Sequence, residues 1–155
     1  RGWTRHDFHF EVSPAGEGSA EQWVRQQYPR ELARYRSRHA RGGLIVIIDA
    51  DKMNVVDRIR RLESACDEQE VDRRGRDEPV LLAVPKRNVE TWLAYLRGES
   101  VNEEDAYPKY DCPSDCRPQA KRLHEMCQRG QLAEPAPPSL ERCCIEFDSF
   151  WCLIE

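Results

Sequence analysis

The sequence predicts an α/β fold in three layers, with a mostly parallel central sheet and a C-terminal helical extension. Two runs carry this expectation: Leu44–Ile48 and Val80–Val84 are each five consecutive apolar residues. A strand apolar on both faces is the mark of a parallel strand covered by helices on either side. The third observation is order. Strand-like and helix-like patterns alternate three times before residue 98, which predicts right-handed crossovers and a parallel sheet.

The first predicted strand is Phe8 to Val12, where Phe8, Phe10 and Val12 alternate with His9 and Glu11 at a period of two. Ser13-Pro14-Ala15-Gly16 ends it. Ser19 followed by Gln22 is a capping-box signature, and Trp23, Val24, Tyr28, Leu32 and Tyr35 roughly keep one helical face, so a helix follows. Pro29 is expected to kink or divide it, because proline lacks the N–H that a helix interior needs. After the break at Arg41-Gly42-Gly43 comes Leu44–Ile48, and Asn54 then caps a helix in which Val55, Val56, Ile59, Leu62 and Cys66 share a face. A polar loop, 67–78, leads to Val80–Val84. Asn88 caps a helix with Val89, Trp92, Leu93 and Leu96 spaced at i, i+3, i+4 and i+7.

Beyond Gly98 the pattern changes. Residues 99–118 are polar and rich in Asp, Pro and Tyr, as expected of a long ordered loop or insertion. Two helices should follow, Pro118 to about Arg129 and Ser139 to about Trp151, the second turning Leu140, Cys143, Cys144, Phe147 and Trp151 inward. With 155 residues the chain suits one domain, with an α/β core over 8–98, the loop over 99–118, and helices over 119–155 packed on that core.

Composition narrows the function classes. Charged residues are 34% and apolar ones 39%, and no segment approaches the roughly 18 to 20 apolar residues that a membrane span needs. No membrane partner and no signal peptide are expected. The seven cysteines lack a regular framework and read mostly as reduced thiols of a cytoplasmic protein. A net charge of −4 argues against coating nucleic acid by bulk attraction, but arginines crowd residues 25–41 and 73–76 and leave room for local basic surface.

In open α/β sheets ligands bind beyond the carboxyl ends of the strands, which directs attention to three segments. They are Gly16-Glu17-Gly18-Ser19-Ala20-Glu21, Asp49-Ala50-Asp51-Lys52 and Pro85-Lys86-Arg87-Asn88-Val89-Glu90. On an extended segment the side chains of Asp49 and Asp51 leave the same face, about 6 to 7 Å apart along the backbone. Two carboxylates drawn to about 4 Å would repel by roughly 4 kcal/mol at an effective dielectric near 20. A cation removes that conflict, and oxygen ligands with no nearby histidine favour Mg2+ or Mn2+ over zinc. Without a metal, the same pair reads as solvated turn residues capping the next helix. Glu90, in the first turn of its helix, would point to the same strand ends or simply favour the positive helix terminus. Lys52, Lys86 and Arg87 could neutralise a phosphate in the transition state, or serve as ordinary surface charges.

The order Glu17-Gly18-x-x-Glu21 opening a helix, then a hydrophobic strand ending in Asp49-x-Asp51, resembles the Toprim domain of topoisomerases, primases and OLD-type nucleases. The Glu-Gly-x-x-Glu form and the segment Arg87-Asn88-Val89-Glu90-Thr91-Trp92-Leu93 look more like the OLD side of that group. Small stand-alone proteins, some associated with phage defence, show a similar pattern. The resemblance spans about residues 8 to 97 and implies a Rossmannoid, Toprim-like fold and a divalent-metal-dependent nuclease or phosphodiesterase acting on DNA or RNA. It makes Glu17 a metal ligand or general base, Asp49 and Asp51 metal ligands, and Glu21 a second-metal ligand. Here Ser13 to Gly16 separate Glu17 from the first strand, which departs from the family's closer spacing and would displace Glu17 from the metal.

Other readings compete. Haloacid-dehalogenase-like phosphatases also carry Asp-x-Asp after a hydrophobic strand, with a Thr or Val after the second Asp, where this chain has Lys52. A non-catalytic subunit that binds nucleic acid or a partner, such as an ATPase, would keep the fold without turnover. Cys112, Cys116, His124 and Cys127 could form a Cys3His zinc site if the loop folds back on the helix, although Cys127 falls on an apolar helix face. His6, His9 and His39 have no partners at a recognisable spacing. The oligomeric state is not written in the sequence.

Overall fold

The computed structural model describes residues 8–15, 19–38, 42–109 and 113–154. Its elements in chain order are α1 (Ala20–Ser37), β1 (Leu44–Ile47), α2 (Val55–Glu68), β2 (Val80–Ala83), α3 (Val89–Arg97), a 3-10 turn (Pro113–Cys116), α4 (Arg117–Gln128) and α5 (Pro138–Ile154). The chain is thus mixed α/β. Among the described residues the sheet has two strands, β1 and β2, parallel, with Leu44 opposite Val80 and Ile47 opposite Ala83. Among those residues no helix is long and apolar enough to cross a membrane.

The helix starts follow their capping residues. Ser19 Oγ accepts from the Gln22 N–H at 3.1 Å, and Asn54 Oδ1 accepts from the Asp57 N–H at 2.8 Å. Each bond satisfies one amide that the first turn would otherwise leave unpaired. Asn88 departs from expectation. It holds the cap position of α3 but makes no capping bond; its Nδ2 donates to the Tyr107 carbonyl at 2.9 Å and its Oδ1 accepts from Thr91 Oγ1 at 3.0 Å. The same residue therefore pins the 99–109 segment. That segment also turns on Asn102, whose Oδ1 accepts from the Asp105 N–H at 2.8 Å, and it delivers Glu103 to the start of α5, where the Ser139 N–H donates to it at 3.2 Å. Gly98 ends α3 at φ 93°, a left-handed cap that glycine adopts without steric cost.

Two sequence expectations are corrected here. Residues 8–14 form no strand: Phe8, Phe10 and Val12 are all exposed, the two rings stack on each other at 5.8 Å, and neither β1 nor β2 pairs with them. Alternation supplies a face but not a partner edge, and a lone strand has no ladder to hold it. Pro29 does not divide α1, which runs through it as one helix. Tyr28, Pro29 and Leu32 are buried together there, and that packing offsets the missing backbone bond.

Two cores lie on opposite faces of the sheet. Tyr28 and Leu32 of α1 with Ile59, Leu62 and Cys66 of α2 pack on Val46, Val80, Leu82 and Val84. On the other face Ala83 meets Trp92, Tyr95 and Leu96 of α3 and Leu140 of α5. β2 is buried throughout, as the sequence predicts for it. β1 is not: Ile45 and Ile47 are 44% and 60% exposed, because the second helical layer covers β2 and stops short of its neighbour.

The α4–α5 region joins two of the cysteines. Cys127 is disulfide-bonded to Cys144, a pairing that the expectation of mostly reduced thiols leaves room for but does not imply. Cys66, Cys116, Cys143 and Cys152 are free.

Candidate functional site

The carboxyl ends of the two strands stay together beyond the sheet proper. The Ile48 N–H donates to the Ala83 carbonyl at 3.2 Å and the Ala50 N–H to the Pro85 carbonyl at 2.8 Å. Asp49 and Asp51 therefore flank a backbone that is still anchored to β2, and Lys86 and Arg87 follow directly on the other side. At Asp51 the chain turns, with φ 58°. Aspartate is one of the few side chains that tolerate this left-handed region. The turn corrects the expectation that both carboxylates leave one face of an extended segment. Instead, the Asp51 carboxylate crosses to the β2 side, where Oδ1 accepts from Arg87 Nη1. Lys86 Nζ donates to the Asp51 carbonyl at 3.4 Å and stands 3.6 Å from Glu104.

Asp49 is the electrostatic centre of this group. Crowding by protein atoms, then the negative charge of Glu90, push its carboxyl up to about 6; Asp51 adds to the rise, and Lys109 and Arg58 oppose it. The residue itself lies at the surface, so water still screens part of this conflict. Glu90 thus shares the neighbourhood of Asp49, as its place in the first turn of α3 suggests.

Glu21 also reaches this end of the sheet, but it is held by arginines. Its Oε1 lies 2.5 Å from Arg58 Nη1 and 3.5 Å from Arg25 Nε. Arg58 is buried in α2 and donates from Nη2 to the carbonyl of Ala50, the residue between the two aspartates, at 3.1 Å. Its Nε and Nη1 make no aligned hydrogen bond. A buried guanidinium with spare donors is costly unless opposite charge stands beside it, which Glu21 provides.

The structure gathers Asp49, Asp51, Glu90 and Lys86 at one end of the sheet, with Glu21 behind Arg58. Lys52 is exposed one residue past the turn. Glu17 lies outside the described residues, as does Cys112. Of the remaining zinc candidates, Cys127 is spent in the disulfide, His124 is exposed on α4 and Cys116 is half-buried. Among the described residues no three His, Cys, Asp or Glu side chains draw close enough to enclose a metal ion. The side chains are in ion pairs instead.

Two participants escape a reading of the sequence. Arg58 carries a signal, since it sits three residues after Val55 and four before Leu62, a charge on the apolar stripe of α2. Lys109 carries none; the folding of the 99–109 loop alone brings it near Asp49.

Compared with known proteins, the chain matches no family model, no curated protein and no solved structure.

Proposed function

We propose that the chain is a Toprim-like, divalent-metal-dependent nuclease or phosphodiesterase that acts on nucleic acid, with its centre at the carboxyl ends of β1 and β2. One observation carries this reading: Asp49 lies in the field of Glu90 and Asp51, with Lys86, Arg87 and Lys109 nearby, and burial, then the charge of Glu90, raises the Asp49 carboxyl to about 6. Like charges held near one another are a conflict that a cation relieves. The donor set is all oxygen, which fits Mg2+ or Mn2+. Asp49 and Glu90 would hold the ion, and Asp51 would join them on leaving Arg87. When bound, such an ion polarises a phosphoryl oxygen and lowers the pKa of bound water. The chain's own contribution is to fix the aspartate turn through Arg58 and Ala50, and to offer Lys86, Arg87 and Lys109 to the phosphate charge. The Toprim-like arrangement, like a role in phage defence, rests on the motif order and is part of the proposal.

The test is cleavage of single- and double-stranded DNA and RNA in Mg2+ or Mn2+, with Asp49→Ala and Asp51→Ala as variants. Loss of metal-dependent cleavage in both, with unchanged circular dichroism, is the expected result. Equal cleavage by wild type and both variants would sink the proposal.

A second reading has its own observation. Arg87 on Asp51 and Arg58 on Glu21 close off two of the acids, as suits a non-catalytic subunit that binds nucleic acid or a partner such as an ATPase. Metal binding at Asp49 with no cleavage of any nucleic acid would favour it.

A further inference from the structure

Between the carboxyl end of α4 and the last turns of α5 lies an open groove of about 410 Å³. It sits toward the end of α5 that covers Gly43 at the start of β1, apart from the acids at the strand carboxyl ends. One wall is aromatic: the half-buried rings of Phe147 and Trp151, one turn apart on α5, stack at 5.8 Å and 24°. The walls are tied covalently, because Cys127 of α4, which lines the groove, is bonded to Cys144 of α5. A groove held in shape before its ligand arrives loses less freedom on binding.

The charges at its rim are unspent. Asp148 of α5 and Arg129 at the end of α4 both line the groove and are exposed, and among the described residues neither is in an ion pair or a side-chain hydrogen bond. A flat apolar wall with one acceptor and one cation beside it suits a ligand that is aromatic on its face, donates along one edge and carries negative charge further off. An aromatic amino acid holds its ammonium and carboxylate on a single carbon, so it suits an acid and a base close enough to pair, and these two do not pair. A nucleotide sets its base edge and its phosphate apart by a sugar. Among the common bases guanine alone offers two adjacent donors, N1–H and N2–H, on its pairing edge, and these match the two oxygens of one carboxylate.

We infer that the α4–α5 groove binds a guanine nucleotide. The base stacks on Phe147 and Trp151, its N1–H and N2–H donate to the Asp148 carboxylate, and its phosphate meets the Arg129 guanidinium, whose fork of donors fits phosphate oxygens. Binding here is independent of any metal at Asp49 and Asp51. The same chemistry comes from a free guanine nucleotide or from the terminal guanosine of a single strand.

Isothermal titration calorimetry of the full chain in EDTA, with guanosine 5′-monophosphate, adenosine 5′-monophosphate and L-tryptophan as probes, tests this. The guanine nucleotide should bind saturably and about fivefold or more tighter than the adenine nucleotide, whose pairing edge sets an acceptor against the carboxylate. Asp148→Asn should lower guanine-nucleotide affinity about tenfold and leave the adenine nucleotide within about twofold. Arg129→Gln should weaken both nucleotides about two- to fivefold, the scale of an exposed ion pair, and leave guanosine without phosphate unchanged. Both substitutions fall on exposed side chains, and thermal melting checks that the fold persists. A uridylate tetramer ending in guanosine separates the two sources: tighter binding than the free nucleotide assigns the groove to a strand end, and equal or weaker binding assigns it to the free nucleotide. No saturable binding of the guanine nucleotide below about 5 mM, equal affinity for the two nucleotides, or wild-type affinity in Asp148→Asn overturns the inference. So does saturation by tryptophan in place of the nucleotide.

Discussion

β1 and β2 are nearly the same sequence event and not the same structural one. Each belongs to a run of five aliphatic residues, they pair in parallel, and both contribute Val46, Val80, Leu82 and their neighbours to the core beneath α1 and α2. On the opposite face β2 lies under α3 and α5, while Ile45 and Ile47 of β1 face outward. An apolar run fixes what a strand can tolerate. Which face is covered depends on where helices far along the chain come to rest. The strands also end in opposite charge, Asp49 and Asp51 after one and Lys86 and Arg87 after the other, and the site is the place where these ends meet.

The comparison can be broken by substitution. Leu82→Ala in β2 should cost about 2 to 5 kcal/mol in urea denaturation, since a 2% exposed side chain leaves a cavity. Ile47→Ala in β1, chemically a similar deletion, should stay within about 1 kcal/mol because most of that side chain is already in water. Equal costs would show that β1 is covered on both faces in solution. A smaller effect is expected where the two strands begin. A Cβ added at Gly43 would stand 2.3 Å from Phe150 Cε2 and 2.9 Å from the Pro79 carbonyl, so Gly43→Ala should lose roughly 1 to 3 kcal/mol. The double variant with Phe150→Leu should recover part of that loss; no recovery would place the conflict at Pro79 instead.

The smallest effect concerns pH. Folding raises the Asp49 carboxyl from 3.8 to about 6, so between those values the folded protein holds a proton that the unfolded chain releases. Stability from this group is full below about pH 4 and declines as pH rises to about 6, then levels off. Solvent screening at this surface residue keeps the change under about 1 kcal/mol. Asp49→Asn should remove that part of the slope between pH 4 and 6, measured by denaturation midpoints. An unchanged slope would mean that Asp49 is not under the strain of its neighbours.

Much of this was legible in residue order. The periods of α2, α3, α4 and α5 are those of the helices found, because each has an apolar stripe that must be buried. That the segments after the two strands come together was legible for a similar reason, since parallel strands deliver their ends to one edge. Phe8 to Val12 misled because alternation says nothing about whether an edge is within reach. The Asp51 turn and its pairing with Arg87 depend on the register between strands 36 residues apart, which no local pattern encodes. Likewise Cys127 and Cys144 meet only through the packing of α4 on α5.

α5 touches the sheet at both ends. Near its start Ser139 Oγ accepts from the Lys86 N–H at 3.3 Å and from Trp92 Nε1 at 2.8 Å, and near its end the Phe150 ring lies over Gly43. During synthesis α3 follows β2 directly and can cover part of this face, but α5 closes it only some 60 residues after β2 has emerged. The contacts that clamp the sheet are of high contact order, which slows folding and lengthens the interval in which a nascent chain is prone to aggregate.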